Sequence, residues 1–202
     1  QRIAPSGPGR LHAMNGTLRM RTRWLTLMVF AVIAIFLTTT QSAFGHYSTS
    51  HRTNLSAWHT SSNIPAGWEQ ALINGALVWD NVPSQCHDFQ RVGTGSGQIP
   101  LWQGAIDGAG GVYAITTDAH NNVKFDSAET WHLNVNTSPG GNSLDLWSIA
   151  AHEFGHTLSL NHGMAAPTDT MYATYSYGQT YFRTLEFADR TRIQALYPTG
   201  SC

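Results

Sequence analysis

Residues 151–162 read AHEFGHTLSLNH. On a helix that turns about 100° per residue, His152 and His156 lie about 40° apart on one face, so both imidazoles can reach one metal ion. His162 would point about 240° away from His156 if the helix continued, and it joins the other two only if the chain turns sharply after Leu158. The spacing therefore predicts a metal-binding helix that ends close to Leu158.

The opposite side of this helix is apolar, with Trp147, Ala151, Phe154 and Leu158. Such a stripe docks a helix on a hydrophobic core, so one face packs and the other binds. Any one histidine could be a core residue, but two histidines opposite an apolar stripe are poor candidates for the core.

Three neutral imidazoles at these spacings suit Zn²⁺, and they leave a fourth position open for water, as hydrolytic zinc sites require. Glu153, the neighbour of His152, is the expected general base. Zinc lowers the pKa of bound water toward about 7, and a carboxylate beside the open position can take the proton of that water and pass it to a leaving amine. The sequence therefore predicts a catalytic zinc site.

Helices are predicted where apolar side chains repeat at helical spacing, and strands in short runs rich in β-forming residues. The predicted helices cover residues 64–79, 143–158 and 184–197, and the predicted strands cover 112–117 and 131–135. Asn63 can cap the first helix, with Pro65 in its first turn. Thr184 can open the last helix, and Pro198 stops it. This order of elements indicates an α+β domain.

The first 45 residues have the order of a secretory signal peptide. Three arginines precede the apolar run at 24–37, and the small residues Ala43 and Gly45 precede His46. A run of 14 residues is shorter than the roughly 18 or more that a spanning helix needs. We expect cleavage after Gly45, with an uncleaved membrane anchor as the alternative.

Composition bounds the class of protein. The chain has 202 residues, 42% hydrophobic and 11% charged, which excludes a coiled coil, a collagen-like repeat and a long disordered tail. Residues 1–45 hold five of the 11 Lys and Arg residues and none of the 12 acidic ones. Residues 46–202 are therefore acidic and lack the clustered positive charge of nucleic-acid-binding proteins. We expect one domain over 46–202 and no nucleic-acid partner.

The sequence contains two cysteines, Cys86 and Cys202. In an oxidising compartment they can pair and tie the C-terminus to a middle loop, which the chain-entropy model values at roughly 4–5 kcal/mol. Two free thiols are the alternative, because the sequence does not show whether the two Cα atoms approach closely enough.

The zinc segment resembles the metzincin metallopeptidases, whose pattern is H-E-x-x-H-x-x-G-x-x-H followed by a Met-containing turn. The methionine here is Met171, nine residues after His162 and followed by Tyr172. This placement is similar to the matrixins, the matrix metalloproteinase-type branch (peptidase family M10). The resemblance, over about residues 64–198, implies a zincin-like fold with a small twisted mixed sheet, and Met171 as a hydrophobic base beneath the zinc.

Three further stretches carry the resemblance: IDGAGGVYA (106–114), KFDSAETW (124–131) and ADRTRIQALYP (188–198), with Asp189 at the position of a family acid. In the family, the first two together bind a structural Ca²⁺. The implied calcium ligands are Asp107, Gly108, Gly110, Val112, Asp126 and Glu129. Carboxylates and turn carbonyls are the hard oxygen ligands that calcium requires. For either stretch alone, a solvated acidic turn is the alternative.

The chain also departs from the family pattern. Ser159 stands where the family has glycine, at the end of the helix, and serine reaches a left-handed conformation at a cost of about 1 kcal/mol. We expect the turn to survive. Ile115 and Lys124 occupy the positions of histidines that bind a second, structural zinc in the family, so we predict that this zinc is absent. No Pro-Arg-Cys-Gly motif occurs, so we expect no cysteine-switch propeptide.

Together these features predict a secreted, monomeric zinc endopeptidase that acts on proteins or peptides, without stable membrane insertion after signal cleavage. If the strand at 112–117 is an exposed edge, it can hold an extended peptide by strand addition. Three tyrosines can wall a specificity pocket or pack in the core, namely Tyr172, Tyr175 and Tyr177.

Two alternatives stay open. One is a secreted zinc-containing binding protein without turnover, against which Glu153 argues, because a structural zinc has no use for an unligated carboxylate beside an open position. The other is a zinc hydrolase of a non-peptide amide, such as a cell-wall crosslink. Only substrate profiling separates it from a peptidase.

Overall fold

The computed structural model describes residues 55–117, 122–163 and 166–201. The predicted signal peptide, its cleavage site and Cys202 lie outside the described residues. Within the described ranges, no helix combines the length and apolar character needed to cross a membrane.

Three α-helices and seven strands are described. The helices are α1 (Glu69–Asp80), α2 (Leu146–Thr157) and α3 (Phe187–Leu196), with short 3₁₀ turns at Tyr181–Arg183 and Thr199–Ser201. The strands are β1 (Leu55–Thr60), β2 (Asp88–Arg91), β3 (Ile99–Gly104), β4 (Ala114–Thr116), β5 (Val123–Asp126), β6 (Trp131–His132) and β7 (Leu144–Asp145).

Five strands form a mixed sheet in the order β2-β1-β3-β5-β4. Neighbours are parallel except for β4, which runs antiparallel to β5 with Ile115 opposite Lys124. Strands β6 and β7 form a separate parallel pair. The sheet and helices confirm the predicted α+β class, and β4 lies at one edge of the sheet.

Helices α1 and α2 cross at a glycine. A Cβ on Gly75 would lie 2.7 Å from the Cβ of Ala150, so only glycine allows this approach. At the same crossing the indole N–H of Trp79 donates to the carbonyl oxygen of Ala151 at 2.8 Å. Phe154 of α2 packs edge-on against Trp58 of β1. The crossing therefore fixes α2 between α1 and the sheet.

The first helix buries apolar residues at helical spacing, among them Leu72, Ala76 and Trp79, but it begins later than predicted. It starts at Glu69 instead of residue 64, after a turn in which Gly67 has φ +90°. Asn63 caps nothing, because its side-chain amide donates to the carbonyl oxygen of Gln103 at 2.5 Å. The loop is thus tied to β3, which keeps Pro65 outside the helix.

The last helix is also shorter than predicted. It begins at Phe187, and Glu186 is the N-cap in place of Thr184. Glu186 and Asp189 form a reciprocal capping box, so backbone N–H groups at the start of the helix are satisfied without Thr184, which lies two residues before Glu186.

The strand predictions located two strands and missed five. The run at 112–117 forms a strand only over 114–116, and the run at 131–135 only over 131–132. The missed strands are β1, β2, β3, β5 and β7.

Candidate metal centre

Helix α2 carries the first two histidines and lies within the predicted range 143–158. The side chain of Asp145 caps its start, accepting from the N–H of Ser148 at 3.0 Å and from its hydroxyl at 2.7 Å. The histidine-bearing face is as buried as the apolar face, with both His152 and His156 inaccessible to solvent. The two side chains are therefore fixed within the protein.

The helix ends where the sequence predicts. Ser159 has φ +67°, the N–H of Leu160 donates to the carbonyl of Gly155, and the N–H of Ser159 donates to that of His156. These two hydrogen bonds make a Schellman motif with a serine in the left-handed position, where glycine is usual. The turn survives the serine and brings His162 back toward the helix.

The three histidines meet at their Nε2 atoms. The His152–His156 separation is 3.0 Å, and each lies 3.1 Å from the Nε2 of His162. Three nitrogens bound to zinc at about 2.0–2.1 Å in a tetrahedral arrangement lie roughly 3.3 Å apart. Within the described residues, this is the one group of three or more His, Cys, Asp or Glu side chains whose ligand atoms converge.

Backbone carbonyls set the tautomers of two histidines. Nδ1 of His152 lies 2.5 Å from the carbonyl oxygen of Thr170, and Nδ1 of His156 lies 2.8 Å from that of Leu160. A carbonyl only accepts, so each Nδ1 carries the proton and each Nε2 presents a lone pair. Two lone pairs 3.0 Å apart repel unless a cation lies between them, so these residues fit a bound metal ion.

Burial also favours neutral imidazoles. Desolvation, with the neighbouring histidines, holds the pKa of His152 well below its usual value, and desolvation lowers the pKa of His162. Neutral imidazole is the form that binds zinc.

Glu153 lies next to the triad in sequence and is fully buried. Its Oε2 accepts a hydrogen bond of 2.6 Å from the hydroxyl of Thr116 on β4. Its Oε1 accepts no hydrogen bond from the described residues. Desolvation raises the pKa of Glu153 to about 8, opposed by the Thr116 hydrogen bonds. A buried carboxylate with one unused oxygen is suited to proton transfer.

Met171 packs beneath the metal-binding helix. It is fully buried, and a Cβ on Gly155 would lie 2.3 Å from its sulfur. Asp189 holds this turn: its carboxylate accepts from the N–H groups of Thr170 at 2.7 Å and Met171 at 3.2 Å. The peptide unit between Thr170 and Met171 therefore links α3 to the metal site. Its N–H group donates to Asp189 of α3, and its carbonyl oxygen orients His152.

Sequence reasoning missed Arg183. Its guanidinium donates to both carboxylate oxygens of Asp145, at 2.9 and 2.6 Å, and to the carbonyls of Val135 and Thr137. It also lies over the ring of Trp147, 4.9 Å from the centroid. Arg183 thus joins the start of α2 to the loop before β7. No sequence signal pointed to it, because its partners are 36 or more residues away.

The structure gathers the predicted calcium residues, which we call the carboxylate loop (residues 106–112 with Asp126 and Glu129). Asp126 accepts from the N–H groups of Asp107 and Gly108 at 3.1 and 3.2 Å, and Glu129 accepts from that of Gly110 at 2.5 Å. Burial of Asp126 acts to raise its pKa, but these and other backbone hydrogen bonds lower it overall. The carboxyl group of Asp126 is therefore held in the ionised form. Calcium binding there stays a prediction.

Of the three tyrosines after Met171, Tyr175 packs in the core and Tyr177 forms a hydrogen bond to another segment. Tyr175 is buried against Tyr181 and Phe182, so it is a packing residue. The hydroxyl of Tyr177 donates to Glu129 at 2.8 Å, which ties the segment after Met171 to the carboxylate loop.

Cys86 lies beside the C-terminal segment. Its N–H donates to the carbonyl of Tyr197 at 2.9 Å, and its sulfur lies 3.4 Å from the carbonyl oxygen of Pro198. Cys86 is disulfide-bonded. The other cysteine of the sequence, Cys202, lies outside the described residues, so the pairing stays a prediction.

The chain is similar to proteins of one family. The matrixin (peptidase M10) family matches residues 94–198, slightly more than half of the chain. Human matrix metalloproteinase-26 is 32% identical over 145 residues, which are 66% of this chain and 52% of that protein. Rat stromelysin-3 is 34% identical over 140 residues (63% and 26%), and human neutrophil collagenase is 39% identical over 104 residues (48% and 20%). The chain spans about half the length of the first of these relatives.

Proposed function

Because this chain belongs to the matrixin family, we propose that it is a zinc-dependent endopeptidase that hydrolyses peptide bonds. The observation that carries the proposal is the convergence of three histidine Nε2 atoms beside a buried carboxylate with one unused oxygen. The histidines that would hold the metal are His152, His156 and His162.

Zinc bound there would acidify water and polarise the scissile carbonyl. The protein itself supplies the proton transfer and the orientation of the metal ligands. The unused oxygen of Glu153 takes a proton from the attacking water and later gives it to the leaving amine. Thr170 and Leu160 hold the imidazoles of His152 and His156 in one orientation.

An extended peptide would bind at β4. This strand ends the sheet order and packs over α2, so its outer edge lies beside the metal-binding face. Pairing through main-chain groups tolerates many side chains, so β4 would supply affinity and alignment more than selectivity.

The carboxylate loop would hold a structural calcium ion. Asp107, Asp126 and Glu129 all belong to this loop, although the ligand atoms of the three carboxylates do not converge as those of the histidines do. None of the ion pairs in the described part of the chain involves them. A divalent cation with oxygen ligands would neutralise this charge.

The protein would be secreted and would act outside the cell. One support is the signal-peptide pattern in residues 1–45. The other is the position of the Cys86 sulfur beside the carbonyl of Pro198, which precedes Cys202 by four residues. A Cys86–Cys202 disulfide is suited to an oxidising compartment.

The test is cleavage of a diverse peptide library by the purified protein, with zinc content measured on the same samples. Glu153→Ala removes the base and no metal ligand. It should therefore lower the rate of hydrolysis by about 100-fold or more, while zinc stays bound. His156→Ala should lose both.

Two results would contradict the proposal. Full activity of Glu153→Ala would exclude the assigned base. Bound zinc without any peptide cleavage by the wild type would favour a binding protein or a hydrolase of non-peptide amides.

A further inference from the structure

We propose that Thr116 is a positioning residue whose hydroxyl fixes the orientation of the Glu153 carboxylate. The inference rests on the proposed function, because it concerns the same site. It adds a residue that neither the zinc pattern nor the comparisons indicate.

The ladder between β4 and β5 determines where the backbone of Thr116 points. The N–H of Asp126 donates to the carbonyl of Tyr113, and the N–H of Thr117 donates to that of Asn122, both at 2.9 Å. In an antiparallel pair, hydrogen-bonded residues alternate with residues whose N–H and C=O face away from the partner strand. Residues 113 and 117 bond toward β5, so the N–H and C=O of Ala114 and Thr116 face the outer edge. Both residues are fully buried, so the sheet holds the backbone of Thr116 in place.

The side chain of Thr116 points away from this edge, toward Glu153. Thr116 is fully buried, and its hydroxyl lies 2.6 Å from Oε2 of Glu153 and 3.2 Å from the carbonyl oxygen of the same residue. A hydroxyl has one hydrogen to donate, and the contact to the carboxyl oxygen is the shorter of the two. Thr116 therefore holds one specific oxygen of the proposed base.

This hydrogen bond selects one orientation of the carboxylate. The terminal torsion of a glutamate is broad, so burial alone does not fix it. The β-branched side chain of Thr116 has few χ1 positions, which makes the hydroxyl a rigid donor. With Oε2 occupied, Oε1 is the oxygen left for proton transfer.

The experiment compares kcat and KM for a peptide substrate, with zinc content and Tm, in Thr116→Val, Thr116→Ser and a control, Thr117→Val. Valine keeps the shape and removes the hydroxyl, while serine keeps the hydroxyl. The control threonine bonds the carbonyl of Asn122 at 3.4 Å instead of Glu153. We expect Thr116→Val to lower kcat about tenfold or more with KM and zinc content unchanged, and Thr116→Ser to stay within about threefold of the wild type.

The inference would be overturned by an unchanged kcat in Thr116→Val, or by a kcat in Thr116→Ser as low as in Thr116→Val. A rise in KM alone would also overturn it, because it would indicate a role in binding only. If Thr116→Val fails to fold, Thr116→Ala replaces it in the same comparison with Thr116→Ser. An inactive wild type that binds zinc contradicts the proposed function instead.

Discussion

Ser159 shows how a single backbone conformation controls the metal site. Its φ of +67° closes the Schellman motif, reverses the chain toward His162, and places the Leu160 carbonyl against His156. Its hydroxyl oxygen is buried without a hydrogen bond from the described residues. Serine therefore carries both a conformational cost and a desolvation cost at a position where glycine would carry neither.

Ser159→Gly should stabilise the protein by about 1 kcal/mol, because glycine adopts positive φ without strain. Urea unfolding measures the change, and peptidase activity should persist because the turn is kept. Ser159→Ala separates the two costs, since it removes the buried hydroxyl and keeps the strain. Destabilisation by glycine would show that the serine makes a compensating contact.

Asp80, which is not part of the metal site, should make the free energy of unfolding depend on pH. Burial raises its pKa to about 7 from 3.8, with the Phe89 N–H hydrogen bond opposing and the Asp88 carboxylate adding to the rise. A carboxyl group whose pKa is higher in the folded than in the unfolded protein stabilises the folded state, and this contribution is complete at pH values below the pKa of the unfolded state. That contribution is lost as pH rises through about 7.

Asp80→Asn keeps a neutral acceptor for the Phe89 N–H, which Asp80 binds at 2.8 Å. Relative to this variant, the wild type should lose about 1–2 kcal/mol of stability between pH 4 and pH 7, less than the full shift implies because Asp80 is partly exposed. Chemical denaturation at a series of pH values tests this. Parallel curves for the two proteins would refute it.

The elements differ in how far the sequence predicts them. Helix α2 follows from local pattern, since one segment supplies its N-cap, its apolar stripe and its terminal turn. The strands do not, because most are four to six residues long and are paired in parallel with strands distant in sequence. Arg183 was missed for the same reason: its role depends on tertiary contacts with Asp145, not on a local motif.

The Arg183–Asp145 pair should matter more than an ordinary ion pair. Its side chains are 14% and 1% exposed, against 42% and 56% for the Arg91–Glu69 pair. Arg183→Met leaves a buried carboxylate at the start of α2 unpaired and should destabilise the protein by about 3 kcal/mol. Arg91→Met is the matched control and should cost less than about 1 kcal/mol. Equal changes in Tm for the two variants would contradict this ranking.

Across the domain, the candidate zinc site could be predicted almost completely and the candidate calcium site only in outline. Helical spacing brings together His152, Glu153 and His156, and the predicted turn after Leu158 adds His162, all within twelve residues. The carboxylate loop joins segments about 20 residues apart, and the hydrogen bond from Tyr177 to Glu129 adds a third segment that sequence alone did not connect.

Removal of calcium with a selective chelator should lower the Tm of the protein, because an ion that binds only the folded state stabilises it by mass action. Zinc content is measured in parallel, so that loss of the catalytic metal is not mistaken for this effect. Asp107→Asn, which removes one charge from the carboxylate loop, should show a smaller Tm difference with and without chelator. An unchanged wild-type Tm would count against the calcium site.

The outer edge of β4 has a consequence for handling the protein. An edge that pairs with any extended chain through main-chain groups does not distinguish a foreign peptide from a loosened segment of a second copy. Concentrated stocks should therefore degrade themselves, at a rate that rises with concentration. The shelf life of the active enzyme would then be set by the stability of its loops as substrates, and the inactive Glu153→Ala variant would be the form to store and crystallise.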